Sequence, residues 1–559
     1  MASTKLFKTD VLVIGGGLSG LRAAITARRF GKKVLLTVKG KLGRSGSSVL
    51  TDGGYAAVTP DAEKDTPATH VEDTWESGRR IAELSLVQRL CHHSYNMLCD
   101  LEAMGSRFLK EDDQRLKASS GDHAFPRILL AVNQTGRDLT DPLAAHCRRT
   151  GVDVLESTMA IKLLDDGIQV LGAACLDLTT GDLIIIQASA TILATGGSGN
   201  LFSRTSNPND VTGDGFALAW RSGAQLRDME FIQFYPWRLI EPNLGGRMLI
   251  QPETFVLGAT LYNNHNEAFM KEYAPIKRDA ATRDIVARAI ADQVLRGRGI
   301  NGGVRLDLSP LSSEELQKSN PHLSLVLADK NINFRDGDRA WIVAPEAHYM
   351  MGGVAINDKG HTSKPGLFAA GEVTGGIHGA NRLDSNSLPD TQVFGHLAGL
   401  AAVERTETYS GSASFLTSEK IMELEALITQ RLNPQSNFDP RNELHKLQQQ
   451  MTKSLGLIRS GGQIRQGFNV LEDITLGLKK IRVSSLHRLR QLFELEFLCD
   501  VACLSLTSAW LREESRGAHF RADFPEMNDK KWATSIFLGR SPSGEVSYKL
   551  SADGPTHTP

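Results

Sequence analysis

The feature that most constrains the fold is a short apolar run that ends in glycines, Asp10-Val-Leu-Val-Ile-Gly-Gly-Gly-Leu-Ser-Gly20. The next ten residues have a helical pattern, and Lys33 to Thr37 supplies a second short strand. This order predicts the strand–turn–helix–strand unit of a dinucleotide-binding fold. Gly15 permits the turn, Gly17 lets the backbone approach a pyrophosphate, and Gly20 lets helix and strand pack closely.

The glycine pattern by itself leaves two interpretations open, a dinucleotide site or a structural glycine turn. The acidic residue that commonly holds a ribose at the end of the second strand is missing, and Thr37 or Lys39 stands there instead. Residues 190–197 predict another strand that runs into glycines, with Thr195 and Gly196 at its end. We therefore expect a second close approach of backbone to a ligand.

Length and charge exclude several classes of protein. A chain of 559 residues is long enough for three or four domains with their own cores. Lys and Arg number 63 against 64 Asp and Glu, a net charge of -1, so we expect no nucleic-acid partner. No apolar run approaches the length of a membrane-spanning helix, and the first ten residues carry no export signal. We expect a cytoplasmic protein.

The cysteines predict no metal site. None of the six stands in the C-x-x-C spacing of an iron–sulfur or zinc site, and we expect buried thiols. They are Cys91, Cys99, Cys147, Cys175, Cys499 and Cys503.

The order of patterns predicts an α/β protein with an insertion. Mixed strands and a long amphipathic helix, Asp279 to Leu295, interrupt the glycine-ended strands, which return near Pro365. After about residue 410 the pattern is helical. We predict a Rossmann-like nucleotide-binding domain (1–230 and 346–410), an inserted α+β capping domain (231–345), a helical C-terminal domain (411–510) and a less regular tail (511–559).

Several distinct motifs are spread along nearly the whole chain. They are Gly15–Gly20, Asp52–Tyr55, Ala194–Gly197, Thr212–Gly215, Met229–Phe234, Tyr273–Pro275 with Arg283–Asp284, His348–Gly353, Gly371–Glu372, His378–Leu383 and Glu513–His519. In this order they resemble the flavoprotein subunits of the fumarate reductase and succinate dehydrogenase family. That family also includes L-aspartate oxidase and the soluble fumarate reductases. The resemblance implies bound FAD, a capping domain over the flavin, and hydride exchange with a carbon beside a carboxylate.

The same resemblance implies a set of cofactor contacts, with Glu372 holding ribityl or ribose hydroxyls. Asp214 as a turn aspartate and Glu372 as a helix-start carboxylate are the structural alternatives. The run Arg44 to Ser48 lacks the histidine that binds flavin covalently in succinate dehydrogenases, so we expect noncovalent FAD. The expected contacts are Gly15, Gly17, Gly20, Thr37, Arg44, Ser45, Gly53, Gly54, Thr195, Gly196, Asp214, Glu372, Ser387 and Leu388.

Three residues match the family's catalytic groups. Arg382 and His348 match the clamp on the substrate carboxylate, and a guanidinium can bind both carboxylate oxygens. Arg283 matches the arginine that delivers a proton to the substrate carbon. The structural alternatives are a satisfied core histidine for His348 and a surface ion pair with Asp279 for Arg283.

The chain departs from the family where the second substrate carboxylate is held. Tyr235 and Trp237 replace a histidine and a threonine, and a tyrosine donates one hydrogen bond without a charge. The segment Gln251 to Phe255 lacks a further threonine and arginine, although Glu253 lies near the family's glutamate position. We expect Tyr235 and Trp237 to present an apolar wall there, unless Arg238 turns inward and restores an anion site.

The sequence thus predicts an FAD-dependent oxidoreductase that acts on a CH–CH or C=C bond beside a carboxylate, on a substrate other than fumarate or succinate. The alternatives are an amino-acid oxidase similar to L-aspartate oxidase and a flavin-carrying electron-transfer protein without chemistry of its own. The expected partners are a small carboxylic acid and an iron–sulfur or other electron-transfer subunit. Such a partner could attach the protein to the periphery of a membrane.

Overall fold

The computed structural model describes residues 3–120, 122–245, 248–335, 340–409 and 416–551. The predicted boundary at 410–411 and the end of the predicted tail lie outside these residues. The strands are β1 Thr4–Ile14, β2 Val34–Thr37, β3 Gly54–Ala56, β4 Lys110–Glu111, β5 Gln114–Arg115, β6 Lys117–Ala118, β7 Ile128–Leu130, β8 Asp153–Leu155, β9 Thr158–Asp165, β10 Val170–Asp177, β11 Leu183–Leu193, β12 Leu226–Arg227, β13 Ile232–Glu241, β14 Thr260–Tyr262, β15 Val304–Asp307, β16 Ile342–Met350, β17 Gly353–Ala355, β18 Leu367–Ala369, β19 Thr374–Gly375, β20 Phe537–Arg540 and β21 Val546–Lys549.

The helices are α1 Leu18–Arg29, α2 Pro67–Ser77, α3 Leu84–Ala103, α4 Arg137–Arg149, α5 Asp214–Arg221, α6 Glu253–Val256, α7 Met270–Tyr273, α8 Arg283–Leu295, α9 Ser313–Ser319, α10 Pro321–Asp329, α11 Ser387–Thr408, α12 Ser418–Thr429, α13 Pro440–Ser454, α14 Gly461–Leu478, α15 Leu486–Leu511 and α16 Asp529–Trp532. No helix in the described ranges is long and apolar enough to cross a membrane.

A mixed sheet of seven strands forms the nucleotide-binding part of the molecule, and it is parallel except at β10, which pairs antiparallel with β11 and β9. Its order is β8-β2-β1-β11, and β18 and β10 both pair with β11. The last four residues of β1 are at most 5 % exposed, as expected for a central parallel strand covered on both faces. Strands β1, β2, β11 and β18 run in one direction, so their carboxyl ends share one edge of the sheet, where such folds bind ligands.

The inserted segment has a sheet and a hydrophobic core of its own. The sheet order is β13-β16-β15-β14, and the core lies between Tyr235 and Val343. Helix α8 begins at Arg283, four residues after the predicted start. Asp279 lies in a preceding 3₁₀ turn, where its carboxylate accepts a hydrogen bond from the backbone N–H of Leu261 at 2.9 Å.

The C-terminal helices and the tail pack on the nucleotide-binding part. Buried residues of α12 to α15 belong to the same hydrophobic core as β1 and α1. The tail, predicted to be less regular, folds back as the hairpin β20–β21, and β20 pairs with β12 in a five-stranded sheet. The tail thereby becomes part of the main body of the molecule.

Candidate active site

The glycine turn after β1 has the geometry of a phosphate cradle. Gly15 has a φ of +116°, and a Cβ there would lie 2.1 Å from the backbone oxygen of Ala194. A Cβ on Gly20 would lie 1.9 Å from the oxygen of Gly15. Gly17 is the N-cap of α1 and has no side chain to cap it, so the first-turn amides other than that of Leu18 are left for a ligand. These observations fit the pyrophosphate of a dinucleotide.

A lysine and two carboxylates meet beside the end of β2, close to the buried Thr37. The ammonium of Lys39 lies 2.9 Å from Asp214 and 3.0 Å from Glu494 of α15. Burial acts to lower the pKa of Lys39, but the two carboxylates outweigh it and the pKa is raised. Asp214, at the start of α5, thus brings a carboxylate close to the end of β2, where the usual acidic residue is missing, and Glu494 was not among the predicted residues.

Glu372 and the second glycine turn form another part of the cradle. A Cβ on Gly197 would lie 2.2 Å from the Glu372 carboxylate, which accepts a hydrogen bond from the N–H of Met350 at 3.1 Å. Burial raises the pKa of Glu372 to about 7. The hydroxyl of Thr195 is buried without a partner, and Gly196 has a φ of +76°. Buried polar atoms without partners fit a ligand rich in hydroxyl groups.

The remaining predicted cofactor residues divide into two groups. Gly53 and Gly54 stand at the start of β3, and Ser387 and Leu388 begin α11. The Arg44 side chain points to the surface, 3.7 Å from Asp141, and the hydroxyl of Ser45 donates to the oxygen of Lys41. In the structure Arg44 and Ser45 therefore contact groups of the chain itself.

Ser48 was missed by the sequence analysis. Its hydroxyl accepts a hydrogen bond from the N–H of Leu18 at 3.2 Å, at the start of α1. The neighbouring hydroxyl of Ser47 is buried without a partner. A run of serines following the glycine turn was the available signal in the sequence.

Arg382 and His348 lie near each other where the inserted segment meets the nucleotide-binding part, a junction called the cleft below. Arg382 is 3 % exposed, one terminal nitrogen donates to Gln233 at 2.9 Å, and its Nε has no partner. The Nδ1 of His348 lies 2.8 Å from the hydroxyl of Ser206, which leaves Nε2 to contact a substrate. Burial, reinforced by Arg382 and Arg283, holds the pKa of His348 well below its usual value, so the imidazole is neutral.

Arg283 reaches the same cleft from the first turn of α8. Its guanidinium lies 2.8 Å from the carboxylate of Asp384 and 5.0 Å from the centroid of the Tyr235 ring. Burial acts to lower the pKa of Arg283, but Asp384, Tyr235 and Asp122 outweigh it, and the pKa is raised. The pairing with Asp279 considered from the sequence does not occur, because Asp279 precedes the helix.

The two aromatic residues predicted to line the far end of the substrate site are buried. Tyr235 is 2 % exposed, and its hydroxyl donates to the backbone oxygen of Ile250 at 2.8 Å. Its ring lies 5.3 Å from the ring of His348. Trp237 is 1 % exposed and stacks on Phe255, with ring centroids 4.7 Å apart. The apolar wall expected from Tyr235 and Trp237 therefore lies behind Arg283 and His348, which it supports.

Arg238 does not turn toward this cleft. Its guanidinium lies 3.2 Å from the buried carboxylate of Glu346. Both residues line a separate cavity of about 320 Å³ next to Arg204 and Gln448. The anion site that an inward Arg238 could have restored is not formed by this geometry.

Several carboxylates lie within electrostatic range of Arg283, and of these only Glu253 was considered for the substrate site from the sequence. Burial raises the pKa of Glu253 to about 7 and that of Asp122 to about 6. Burial acts to raise the pKa of Asp384, but Arg283 and Arg382 outweigh it and lower the pKa to about 2. Asp52 accepts a hydrogen bond from the Gln251 amide at 2.8 Å. These groups come from four separate segments, so no local motif could reveal them.

Comparison with known proteins identifies the family. The FAD binding domain family matches residues 10–388, and the fumarate reductase flavoprotein C-terminal family matches residues 444–552. An uncharacterised FAD-dependent oxidoreductase of Methanocaldococcus jannaschii is 37% identical, over 95% of this chain and 96% of the relative. One of the chains of the fumarate reductase (CoM/CoB) of Methanothermobacter marburgensis is 35% identical, over 96% and 98%. A variant of E. coli quinol fumarate reductase is similar in structure, with a TM-score of 0.90, 28% identity and coverage of 98% and 97%.

Proposed function

The chain belongs to the fumarate reductase and succinate dehydrogenase family of FAD-dependent oxidoreductases, and we propose that its substrate is a carboxylic acid whose far end is not a second carboxylate. The proposal rests on one observation: Tyr235 and Arg238, the two side chains considered for a second substrate carboxylate, already have partners within the protein. The Tyr235 hydroxyl donates to Ile250, and Arg238 pairs with Glu346. The clamp residues Arg382 and His348 are retained, which supports recognition of one carboxylate.

Each residue of the cleft has a distinct task in this proposal. Arg382 and neutral His348 bind the substrate carboxylate and stabilise the negative charge that develops on it. When bound, FAD supplies hydride exchange with the carbon beyond the one that bears the carboxylate. Arg283 delivers the proton to the neighbouring carbon and recovers one from solvent, so that one hydride and one proton add across the double bond. Asp384 holds the Arg283 guanidinium in place.

We further propose that FAD is bound noncovalently and that electrons pass through a partner protein. The segment Arg44 to Ser48 contains no histidine. In the described ranges, no three His, Cys, Asp or Glu side chains are grouped as metal ligands. An iron–sulfur or other electron-transfer subunit fits this chain, and it would also provide peripheral attachment to a membrane. Acid precipitation should leave all the flavin in the supernatant, and flavin fluorescence on a denaturing gel would contradict noncovalent binding.

The substrate proposal is tested by comparing fumarate with four-carbon enoic acids that have one carboxylate. Loss of a charged partner for a buried carboxylate costs about 2 kcal/mol or more, which is roughly 30-fold in kcat/KM. We expect fumarate to be poorer than the best mono-carboxylic enoate by at least this factor. The double variant Tyr235→His with Trp237→Thr should move the preference toward fumarate. Equal efficiency on fumarate and on the mono-acids would refute the proposal.

A further inference from the structure

Arg382 is a buried arginine without a directly bound counter-ion. Among the described residues, no carboxylate lies within 4.0 Å of its guanidinium, whereas Arg283 pairs with Asp384 at 2.8 Å. Burial and the like charge of Arg283 lower the pKa of Arg382, and they outweigh the opposite effect of Asp384 and Glu372. An arginine stays charged at any working pH, so a bound anion would supply the missing counter-ion.

The amide of Gln233 holds Arg382 at two points. Its oxygen accepts a hydrogen bond from a terminal nitrogen of the guanidinium at 2.9 Å. Its nitrogen donates to the backbone oxygen of Arg382 at 3.0 Å and to the side-chain oxygen of Asn381 at 3.2 Å. Gln233 is buried, and each of these contacts agrees with the same orientation of its amide. The amide therefore fixes the direction of the guanidinium without adding a negative charge.

The ring of Tyr349 supports the flat face of the same guanidinium. The central carbon of the guanidinium lies 4.7 Å from the ring centroid, which is the distance of a cation–π contact. At its other end the Tyr349 hydroxyl donates to the carboxylate of Asp390 at 3.1 Å and lies 3.3 Å from the Nε2 of His378. Asp390 and His378 are both buried and lie 3.2 Å apart. The ring is therefore fixed at its hydroxyl end and covers Arg382 with its face.

Gln233 and Tyr349 come from one place in the inserted sheet. They are register partners in the antiparallel pair of β13 and β16, so their side chains leave the same face of the sheet. Arg382 lies in the segment between β19 and α11 of the nucleotide-binding part. This cross-strand pair, called the neutral pair below, contacts one nitrogen and one face of the guanidinium. The Nε remains buried without a partner, which fits an oxygen of a bound ligand.

We propose that Gln233 and Tyr349 are positioning residues that orient Arg382 through neutral groups and thereby keep its charge available for a substrate carboxylate. The inference rests on the proposed function, because it takes Arg382 as the group that binds that carboxylate. A carboxylate at position 233 would form a charged hydrogen bond with the guanidinium, and a ligand anion would then have to compete with it. An amide and an aromatic ring orient the guanidinium without this competition.

The variant Gln233→Glu tests the neutrality of the pair, because it keeps the shape of the side chain and adds a charge. Dissociation constants of butanoate and of neutral butanamide are measured on the full-length FAD-loaded protein from the shift of the flavin absorbance. We expect butanoate to bind at least about thirtyfold more weakly in the variant, because the new carboxylate pairs with Arg382. Butanamide should change by less than about threefold, since it carries no charge. Damage to the cleft would weaken both ligands alike.

The variant Tyr349→Phe tests the other member of the pair independently. It keeps the ring but frees the end that the hydroxyl holds, while Asp390 and His378 still contact each other. We expect kcat on a mono-carboxylic enoate to fall by about tenfold, because a displaced clamp costs more in the transition state than in the bound state. The affinity for butanoate should stay within about threefold of the original.

A matched control and three outcomes decide the inference. Gln392→Glu makes the same change beside another buried arginine, Arg22, whose Nε donates to Gln392 at 2.8 Å, and should leave both affinities unchanged. An unchanged ratio of butanoate to butanamide affinity in Gln233→Glu would overturn the inference, as would full kcat in Tyr349→Phe. The proposed function would still stand if Arg382→Ala removed the preference for butanoate over butanamide. Equal affinities for the two ligands in the unmodified protein would overturn both.

Discussion

The neighbours of Arg283 hold its guanidinium in place but also make it a weaker acid. Its guanidinium is paired with Asp384 and stacked near Tyr235, and these neighbours raise its pKa despite its burial. A higher pKa makes the guanidinium a weaker acid, so in the proposed mechanism its contribution is the orientation of the proton it delivers. The same pairing ensures that the group is charged whenever a substrate arrives.

Replacement of Arg283 should therefore abolish turnover without loss of FAD. In Arg283→Ala we expect activity below a tenth of the original, a loss above about 1.4 kcal/mol in transition-state stabilisation, while the flavin content is unchanged. Arg382→Ala should also weaken substrate binding, because the clamp acts on both bound substrate and transition state. Steady-state kinetics with flavin quantification distinguish the two, and Arg288→Ala on the same helix serves as the control. Activity above a tenth in Arg283→Ala would remove the proton-delivery role.

The pKa of Glu253, about 7, predicts a pH-dependent preference among ligands. Between pH 8 and pH 6 this carboxylate takes up a proton, and the far end of the cleft loses a negative charge. Asp384, with a pKa of about 2, and Arg283 keep their charges over this range, whereas Asp122, with a pKa of about 6, begins to protonate. Succinate should thus gain affinity relative to butanoate as the pH falls, on the order of tenfold.

This dependence is measured from dissociation constants at pH 6, 7 and 8. The charge of Asp52 also acts on Glu253, so a pH effect could arise from either carboxylate. The unmodified protein is therefore compared with Glu253→Gln, which removes the Glu253 carboxylate alone. At pH 8 this variant should already show most of the gain in succinate affinity over butanoate that the unmodified protein shows only at pH 6. If the affinity for succinate relative to butanoate rose with pH in the unmodified protein, Glu253 would not act on the bound ligand in this way.

At the scale of elements, the turn between β1 and α1 depends on contact between backbones. The third glycine of the pattern lies inside α1, against the oxygen of Gly15, and the backbone oxygen of Ala194 closes the turn from β11. No side chain fits between these elements. Helix, strand and cradle are therefore one packed unit, and a single methyl group can separate them.

Gly20→Ala should release FAD and destabilise the protein, because the added Cβ would lie 1.9 Å from a backbone oxygen. Gly477→Ala is the matched control, since it also lies in a helix, α14, and its added Cβ would meet nothing within 4 Å. Alanine is the better helix former by roughly 0.5–1 kcal/mol, so the control should be neutral or stabilising. Flavin content and Tm are the measurements, and equal flavin content in the two variants would contradict the packing argument.

At the scale of the whole molecule, a buried arginine fastens the C-terminal tail to the body. Arg512, at the end of α15, is 0 % exposed and forms ion pairs with Glu230 and Glu514. It also donates to the backbone oxygens of Trp532 and Thr534 at 3.0 Å. One side chain thus connects the strand-rich body, the last long helix and the segment that leads into β20.

Arg512→Ala should be strongly destabilising, by about 3–5 kcal/mol, because it leaves the buried carboxylate of Glu230 without its ion-pair partner and takes one of two arginines from Glu514. We expect a Tm lower by several degrees in the FAD-loaded protein and faster proteolysis of the tail. Arg441→Ala removes an exposed pair with Asp439 and should change stability by less than about 1 kcal/mol. Similar Tm shifts in the two variants would show that the tail is not held through Arg512.

The sequence by itself determined the family, the glycine cradle and the positions of Arg283, His348 and Arg382, because these depend on residue types at fixed local spacing. A tight turn needs its glycines, and the proposed carboxylate clamp needs its arginine, wherever the rest of the chain lies. The surroundings of those residues were decided only by the tertiary structure. Trp237 stacks on Phe255, Asp384 pairs with Arg283, and Glu253 comes within electrostatic range of Arg283 from a distant segment. Burial and long-range charge depend on which segments pack together, and local spacing carries no record of that packing.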